Sequence, residues 1–160
     1  MSELKIRKAD INDSHIILNF VKELAAYEKA LDEVTATVED IENSLFDKGT
    51  TTQALICSLD GTPIGFAVYF LNYSTWLGKN GLFLEDLYVS HEFRGCGAGK
   101  ELLRHLAKLA VEKGCGRFEW NVLDWNESAI KFYESIGAKA QNEWVGYRLQ
   151  GRSLIRFAAG

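Results

Sequence analysis

Phe83 to Val111 reads FLEDLYVSHEFRGCGAGKELLRHLAKLAV, and it passes from strand to glycine loop to helix without a break. Phe83 to Val89 is aromatic and branched apolar, the composition of a strand, yet it carries Glu85 and Asp86 in its middle. A buried strand does not carry carboxylates by default, so this is the first place to look for chemistry. Arg94-Gly95-Cys96-Gly97-Ala98-Gly99 then sets glycines at alternate positions, after which Leu102, Leu103, Leu106, Leu109 and Ala110 recur at helical spacing. A helix start leaves backbone N–H groups unpaired and carries partial positive charge. Glycines that let a ligand approach there make an anion site, and the anion expected is a phosphate. Two familiar loops fail the test. The dinucleotide fingerprint needs a glycine where Lys100 stands, and the ATP-type loop needs a glycine at Arg94 and a hydroxyl residue at Glu101. The bland alternative is a plain strand-to-helix connection.

Around this stretch the composition is that of an ordinary globular protein. With 160 residues the chain is read as one domain, residues 1–160, large enough to bury a core without staples. No run of apolar residues reaches membrane-span length and no leader pattern is present, so the expectation is a cytoplasmic protein without a membrane partner. Cys57, Cys96 and Cys115 are odd in number and far apart, and His15, His91 and His105 stand singly, so no metal site is expected. A net charge of −4 argues against a nonspecific nucleic-acid binder and is compatible with a cationic substrate.

In chain order, Leu4 to Arg7 reads as a strand, with Asp10, Asn12 and Asp13 as cap or turn residues. A helix follows, with Ile16, Ile17, Phe20, Val21, Leu24 and Tyr27 on one stripe and Lys22 and Glu23 outside it. Thr37 with Asp40 three residues on caps a second helix reaching Phe46. Thr52 to Leu59 and Ile64 to Leu71 form a hairpin across Asp60-Gly61-Thr62-Pro63. Asn72 to Gly81 reads as an exposed loop whose Tyr73 and Trp76 either bind something or pack down. Past the glycine-loop helix, Arg117 to Leu123 is read as a strand, and Asn126 caps a helix through Ile136 that Gly137 closes. Two last strands, Glu143 to Leu149 and Ser153 to Phe157, meet at Gln150-Gly151. The expected class is α/β, a mixed sheet with helices on its faces.

Several ordered features together, namely the Arg94 to Gly99 loop after its strand and Asn126 followed by Phe132-Tyr133 and Gly137-Ala138, resemble the GCN5-related N-acetyltransferases. Longer segments narrow the likeness. Lys22 to Glu28 (KELAAYE), Tyr73 to Lys79 (YSTWLGK), Leu84 to Val89 (LEDLYV) and Leu123 to Asn126 (LDWN) resemble the diamine (spermidine/spermine) acetyltransferases and their thialysine-acetylating relatives, with the YSTW and LDWN segments leaning towards the latter. The loop departs from the pattern at Ala98, where a larger aliphatic residue is usual.

The resemblance implies an acyl-CoA N-acyltransferase fold whose central strands, Phe83 to Val89 and Arg117 to Leu123, splay apart to admit the pantetheine of acetyl-CoA. Leu87, Tyr88 and Val89 would line that arm, with the backbone groups of Leu87 and Val89 pairing as a neighbouring strand would. The loop Arg94, Gly95, Cys96, Gly97, Ala98, Gly99 and Lys100 would hold the pyrophosphate, Asn126 would touch the pantetheine and Tyr133 would lie beside the sulfur. The bland roles of the last two are a helix cap and a core aromatic. The likeness also implies a homodimer paired through strands after Gly137, and an exposed apolar strand at Ser153 to Phe157 would need such cover.

A free alkylamine has a pKa of about 10 and is protonated at neutral pH, so acetylating it needs a proton acceptor. Glu85, through water, is the candidate. A strand N–H near Leu87 would steady the charge developing on the thioester oxygen, and Tyr133 would protonate the departing thiolate. Tyr27, Glu28, Trp76, Glu85 and Asp86 would bind the acceptor, acids for the ammonium and aromatic faces for its stem. That combination suits a small primary amine, either a thialysine- or lysine-like amino acid or a di- or polyamine. The carboxylate of an amino acid would call on a cation such as Lys79 or Arg148. Rival readings are a covalent route through Cys96, a protein or peptide N-acetyltransferase, and a non-catalytic acyl-CoA-binding module.

Overall fold

The computed structural model describes residues 2–160, which fall into two compact units, one ending at Asn121 and one from Val122 to Gly160. In the first unit the order is β1 (Leu4–Lys8), α1 (Ser14–Tyr27), α2 (Val38–Leu45), β2 (Thr52–Leu59), β3 (Thr62–Ser74), β4 (Lys79–Val89), α3 (Ala98–Glu112) and β5 (Phe118–Trp120). The five strands form one sheet in the order β1-β2-β3-β4-β5. The first four pair antiparallel, whereas β4 and β5 are parallel. This is the expected mixed sheet. The β2–β3 hairpin closes at Asp60 and Gly61, both with positive φ, the conformation that favours glycine at such a turn.

The start of α1 is fixed by charge. Arg7 on β1 donates to both oxygens of Asp13 at 2.7 and 2.8 Å, and the Asp10 backbone N–H donates to the same carboxylate at 2.8 Å. Asp13 is buried, and the Arg7 guanidinium holds its carboxyl below the usual range. From there the apolar stripe of α1 lies on one face of the sheet. Ile17 and Phe20 join Ala54, Ile56, Phe66, Val68 and Tyr88 in a core that Ile41, Leu45 and Phe46 extend, and Phe20 stacks on Phe66 at 5.5 Å. Thr37 and Asp40 cap α2 reciprocally, as their spacing predicts. The other face is covered by α3, whose Leu102, Leu103, Leu106 and Ala110 are buried.

Three expectations change. Asn72 to Ser74 and Lys79 to Gly81 belong to β3 and β4 and pair across a tight turn, so the aromatic loop shrinks to Thr75–Gly78. β5 spans Phe118–Trp120 in place of Arg117 to Leu123, because its pairing with β4 stops at Leu84↔Trp120. In the second unit, which holds α4 (Glu127–Ser135) and α5 (Gly151–Ala159), neither C-terminal strand forms. Glu143 to Leu149 has no regular structure. Ser153 to Phe157 is helical, since Leu154, Ile155 and Ala158 fit a helical stripe, with Arg152 and Arg156 one turn apart on another. The exposed terminal strand that called for a partner therefore does not exist, and the homodimer loses that support. Nor is Gln150-Gly151 a turn between strands: Gln150 is the extended N-cap of α5 and Gly151, with φ +57, is its first residue.

Candidate active site

A single extra residue organises the site. Val68 of β3 faces Asp86 while the next residue, Tyr69, faces Leu84, so Glu85 has no partner and forms a β-bulge. A bulge reverses the alternation of everything beyond it. Before it the even-numbered residues of β4 bond towards β5, the Leu82 N–H donating to Arg117 O at 2.9 Å and Asn80 O accepting from Gly116 N–H at 2.9 Å. Beyond it the Ser90 N–H turns to β3, donating to Ile64 O at 2.8 Å. By alternation the N–H groups of Leu87 and Val89 face the other way, along the edge where β5 has already stopped. This is the splay expected between the two central strands. Its backbone donors are those of Leu87 and Val89, although Val89 O also accepts from Arg94 Nε at 3.3 Å.

After Ser90 a short 3-10 turn, His91–Phe93, leads into the glycine loop. Gly95 and Gly97 both have φ +86, and Gly97 is the N-cap of α3. A side chain there would be strained, although a Cβ at either position would meet nothing within 4 Å, so the loop is open on its outer side. The helix ladder begins with Glu101 N–H donating to Gly97 O at 3.0 Å, which leaves the N–H groups of Ala98, Gly99 and Lys100 as the helix's unpaired donors. No side chain caps them. Gly99 is different, because a Cβ there would sit at ordinary contact distance from Val89 and Leu87, 3.9 and 4.0 Å. Three converging donors, an open outer face and an unpaired strand edge beside them fit a pyrophosphate followed by an amide-bearing arm.

The acids gather on the α1 side. The bulge puts Asp86 opposite Val68, a core residue of that face, so its carboxyl is half-buried. Burial first, then the charges of Glu85 and Glu28, push Asp86 up to about 6. Glu28, the C-cap of α1, is also raised by burial. Glu85 itself is exposed. None of the three accepts a hydrogen bond or an ion pair among the described residues. Trp76 is 79% exposed in the β3–β4 turn, at the far end of β4 from these acids, roughly 20 Å along the strand.

One participant escaped the sequence reading. Glu23, placed only outside the apolar stripe, accepts from Tyr88 Oη at 3.2 Å and Ser90 Oγ at 2.9 Å. Tyr88 is buried, and burial followed by the Glu23 charge raises its phenol. Tyr27 lies one turn further along α1, under the Arg94 guanidinium at 4.7 Å from its ring centroid, and the same guanidinium is 5.5 Å from that of Tyr88. Among the cysteines, Cys57 is buried and pushed up to about 11 by that burial, a poor nucleophile, whereas Cys96 is exposed in the loop.

In the second unit, Asn126 Oδ1 accepts from the Ala129 N–H at 3.4 Å and caps α4, the helix that carries Tyr133. The bland role of Asn126 is therefore real. Tyr133 has Phe132 beside it, ring centroids 5.9 Å apart.

Comparison with known proteins agrees with this geometry. Residues 20–138 match the acetyltransferase (GNAT) family. The thialysine N-epsilon-acetyltransferase of Sus scrofa is 34% identical, with 99% of each chain covered. The L-ornithine N5-acetyltransferase of Arabidopsis thaliana is 47% identical over 59% of this chain and 42% of its own. An integron cassette protein from the V. cholerae mobile metagenome superimposes with a TM-score of 0.80 at 27% identity, covering 98% of both chains. A glycine loop opening α3, a β4 edge left bare where β5 stops, and a match over most of the length lead to one assignment: the chain belongs to the GNAT family of acetyltransferases.

Proposed function

We propose that the chain moves the acetyl group of acetyl-CoA onto the terminal primary amine of a small, flexible cation, a thialysine- or lysine-like amino acid or a di- or polyamine, within a ternary complex. The observation that carries this reading is the trio Glu28, Glu85 and Asp86. Two of its carboxyls are raised by burial and none has a cationic partner among the described residues, so an incoming ammonium would supply the missing charge. The named acceptors of the thialysine and ornithine relatives share that chemistry, a primary amine at the end of an aliphatic chain.

Acetyl-CoA supplies an activated acetyl thioester, and the chain's own residues do the rest. Ala98, Gly99 and Lys100 offer N–H donors to the pyrophosphate, and Leu87 and Val89 present theirs along the open edge. Asp86 and Glu28 orient the ammonium. Glu85, exposed at the bulge, takes its proton through water. Tyr133 supplies a proton to the departing sulfur, its reference pKa of about 10 lying modestly above that of a thiol, about 8.5.

The test is release of free thiol from acetyl-CoA against a panel of thialysine, lysine, ornithine, spermidine and peptides with free N-termini. A small amine should be turned over best, and Glu28→Gln should raise its KM about tenfold while leaving that of acetyl-CoA within about twofold. Equal effects on both substrates would put Glu28 outside the acceptor site. Peptides with blocked side chains outcompeting every small amine would overturn the acceptor class.

A further inference from the structure

Arg94 is the first residue of the glycine loop, but its side chain does not follow the loop to the helix start. The guanidinium lies over the Tyr27 ring at 4.7 Å and near the Tyr88 ring at 5.5 Å, and Nε donates to Val89 O. Tyr27 is the last residue of α1 and adjoins Glu28. Tyr88 and Ser90 both donate to Glu23, one turn back on the same face of α1. Two independent ties therefore join the end of α1 to the end of β4, and only one of them, the Arg94 stack, also belongs to the phosphate loop.

We infer that Arg94 is a positioning residue for the acceptor: by stacking on Tyr27 it holds the Tyr27–Glu28 corner against Asp86, so amine binding depends on a side chain that sits in the donor loop. The inference rests on the acceptor reading given above. A cation over an aromatic face, partly desolvated, contributes roughly enough to change an affinity about five- to tenfold. The guanidinium's hydrogen bond to Val89 O fixes its direction, so the ring must come to it.

The test is the split of Michaelis constants in Arg94→Gln, which keeps a hydrogen-bond donor for Val89 O and removes the charge over the rings. With thialysine as acceptor, its KM should rise about five- to tenfold while that of acetyl-CoA stays within about twofold. Arg94→Lys, still a cation, should recover part of the loss. In the Arg94→Gln background, Tyr27→Leu should raise the thialysine KM by less than it does alone, the non-additivity of a direct contact. An acetyl-CoA KM that rises as much as the thialysine KM would assign the side chain to the pyrophosphate and overturn the inference, as would a thialysine KM that does not move. Should Arg94→Gln fail to fold, judged by circular dichroism, the same split is read in Arg94→Lys, where a thialysine KM within about twofold of wild type alongside additive Tyr27→Leu effects overturns it. Glu28→Gln separates the two claims: if it raises the thialysine KM and Arg94→Gln does not, the coupling fails alone, and if neither does, the acceptor site itself is misplaced.

Discussion

Asp86 shows how one backbone position sets a side chain's chemistry. Had β4 run without a bulge, Asp86 would fall on the face covered by α3; the extra residue at Glu85 turns it to the α1 face, beside Glu28. The folded chain holds a proton on Asp86 up to about 6, while the unfolded chain releases it near 4. Stability therefore falls as pH rises between about 4 and about 6, where the folded state binds the extra proton. Asp86→Asn should flatten that slope and make the apo protein more stable at neutral pH, by up to about 2–3 kcal/mol, as read from thermal unfolding across the pH range. Amine capture should run in the opposite sense. Its kcat/KM should climb through pH 6 as Asp86 ionises, and Asp86→Asn should lose that inflection, leaving only the rise from amine deprotonation at higher pH.

Among the elements, the glycine loop makes the sharpest test because its glycines differ in kind. Gly95→Ala has to hold a Cβ at φ +86 and should lower stability by about 1 kcal/mol, whereas Gly99→Ala sits in the first turn of α3, with ordinary contacts waiting for it, and should be neutral or slightly stabilising. Thermal unfolding without acetyl-CoA measures both. Equal losses would mean that the loop's conformation is not the one described. Elements whose cues are local were legible in the sequence: the Thr37–Asp40 cap, the Asp60-Gly61 hairpin, the Asn126 cap, and the loop's position on a helix start. Elements whose cues are distant were not. Glu23 acquires its role from hydroxyls 65 and 67 residues away. The bulge has no compositional mark, since Leu84-Glu85-Asp86-Leu87 reads as an unbroken strand. Ser153 to Phe157 is too short for periods of 2 and 3.6 to be told apart.

At the scale of the whole molecule, the residues given roles in the proposed reaction are found in both units: loop, strand edge and acids in the first, Tyr133 in the second. The division predicts separable defects. Tyr133→Phe keeps the ring and removes only the proton, so acetyl-CoA and amine binding, proposed for residues of the first unit, should persist while turnover drops about 10²–10⁴-fold. Calorimetric binding alongside kcat, with chemistry shown to be rate-limiting, checks this. Unchanged turnover would leave Tyr133 as a packing residue. The family assignment was legible at this scale because its signals are spread along the chain, from KELAAYE at Lys22 to the Phe132-Tyr133 pair, and survive a misread tail.

The unpaired residue at Glu85 has a consequence for how this strand tolerates change. Substitutions near it alter one side chain each, and the ladder beyond stays in place. Deleting Glu85 would leave it in place too, because Leu84 and Asp86 would become neighbours opposite Tyr69 and Val68, which are already neighbours, and the residues from Asp86 to Val89 would keep their partners, their faces and their amide directions. An added residue is another matter: unless it too bulged out, every residue beyond it would slip one place, the donors now bare would turn to β3, and Tyr88 would leave the aromatic core. The strand can therefore give up the Glu85 position, with its acid and its kink, without disturbing its register, but it cannot take in another residue without a second bulge.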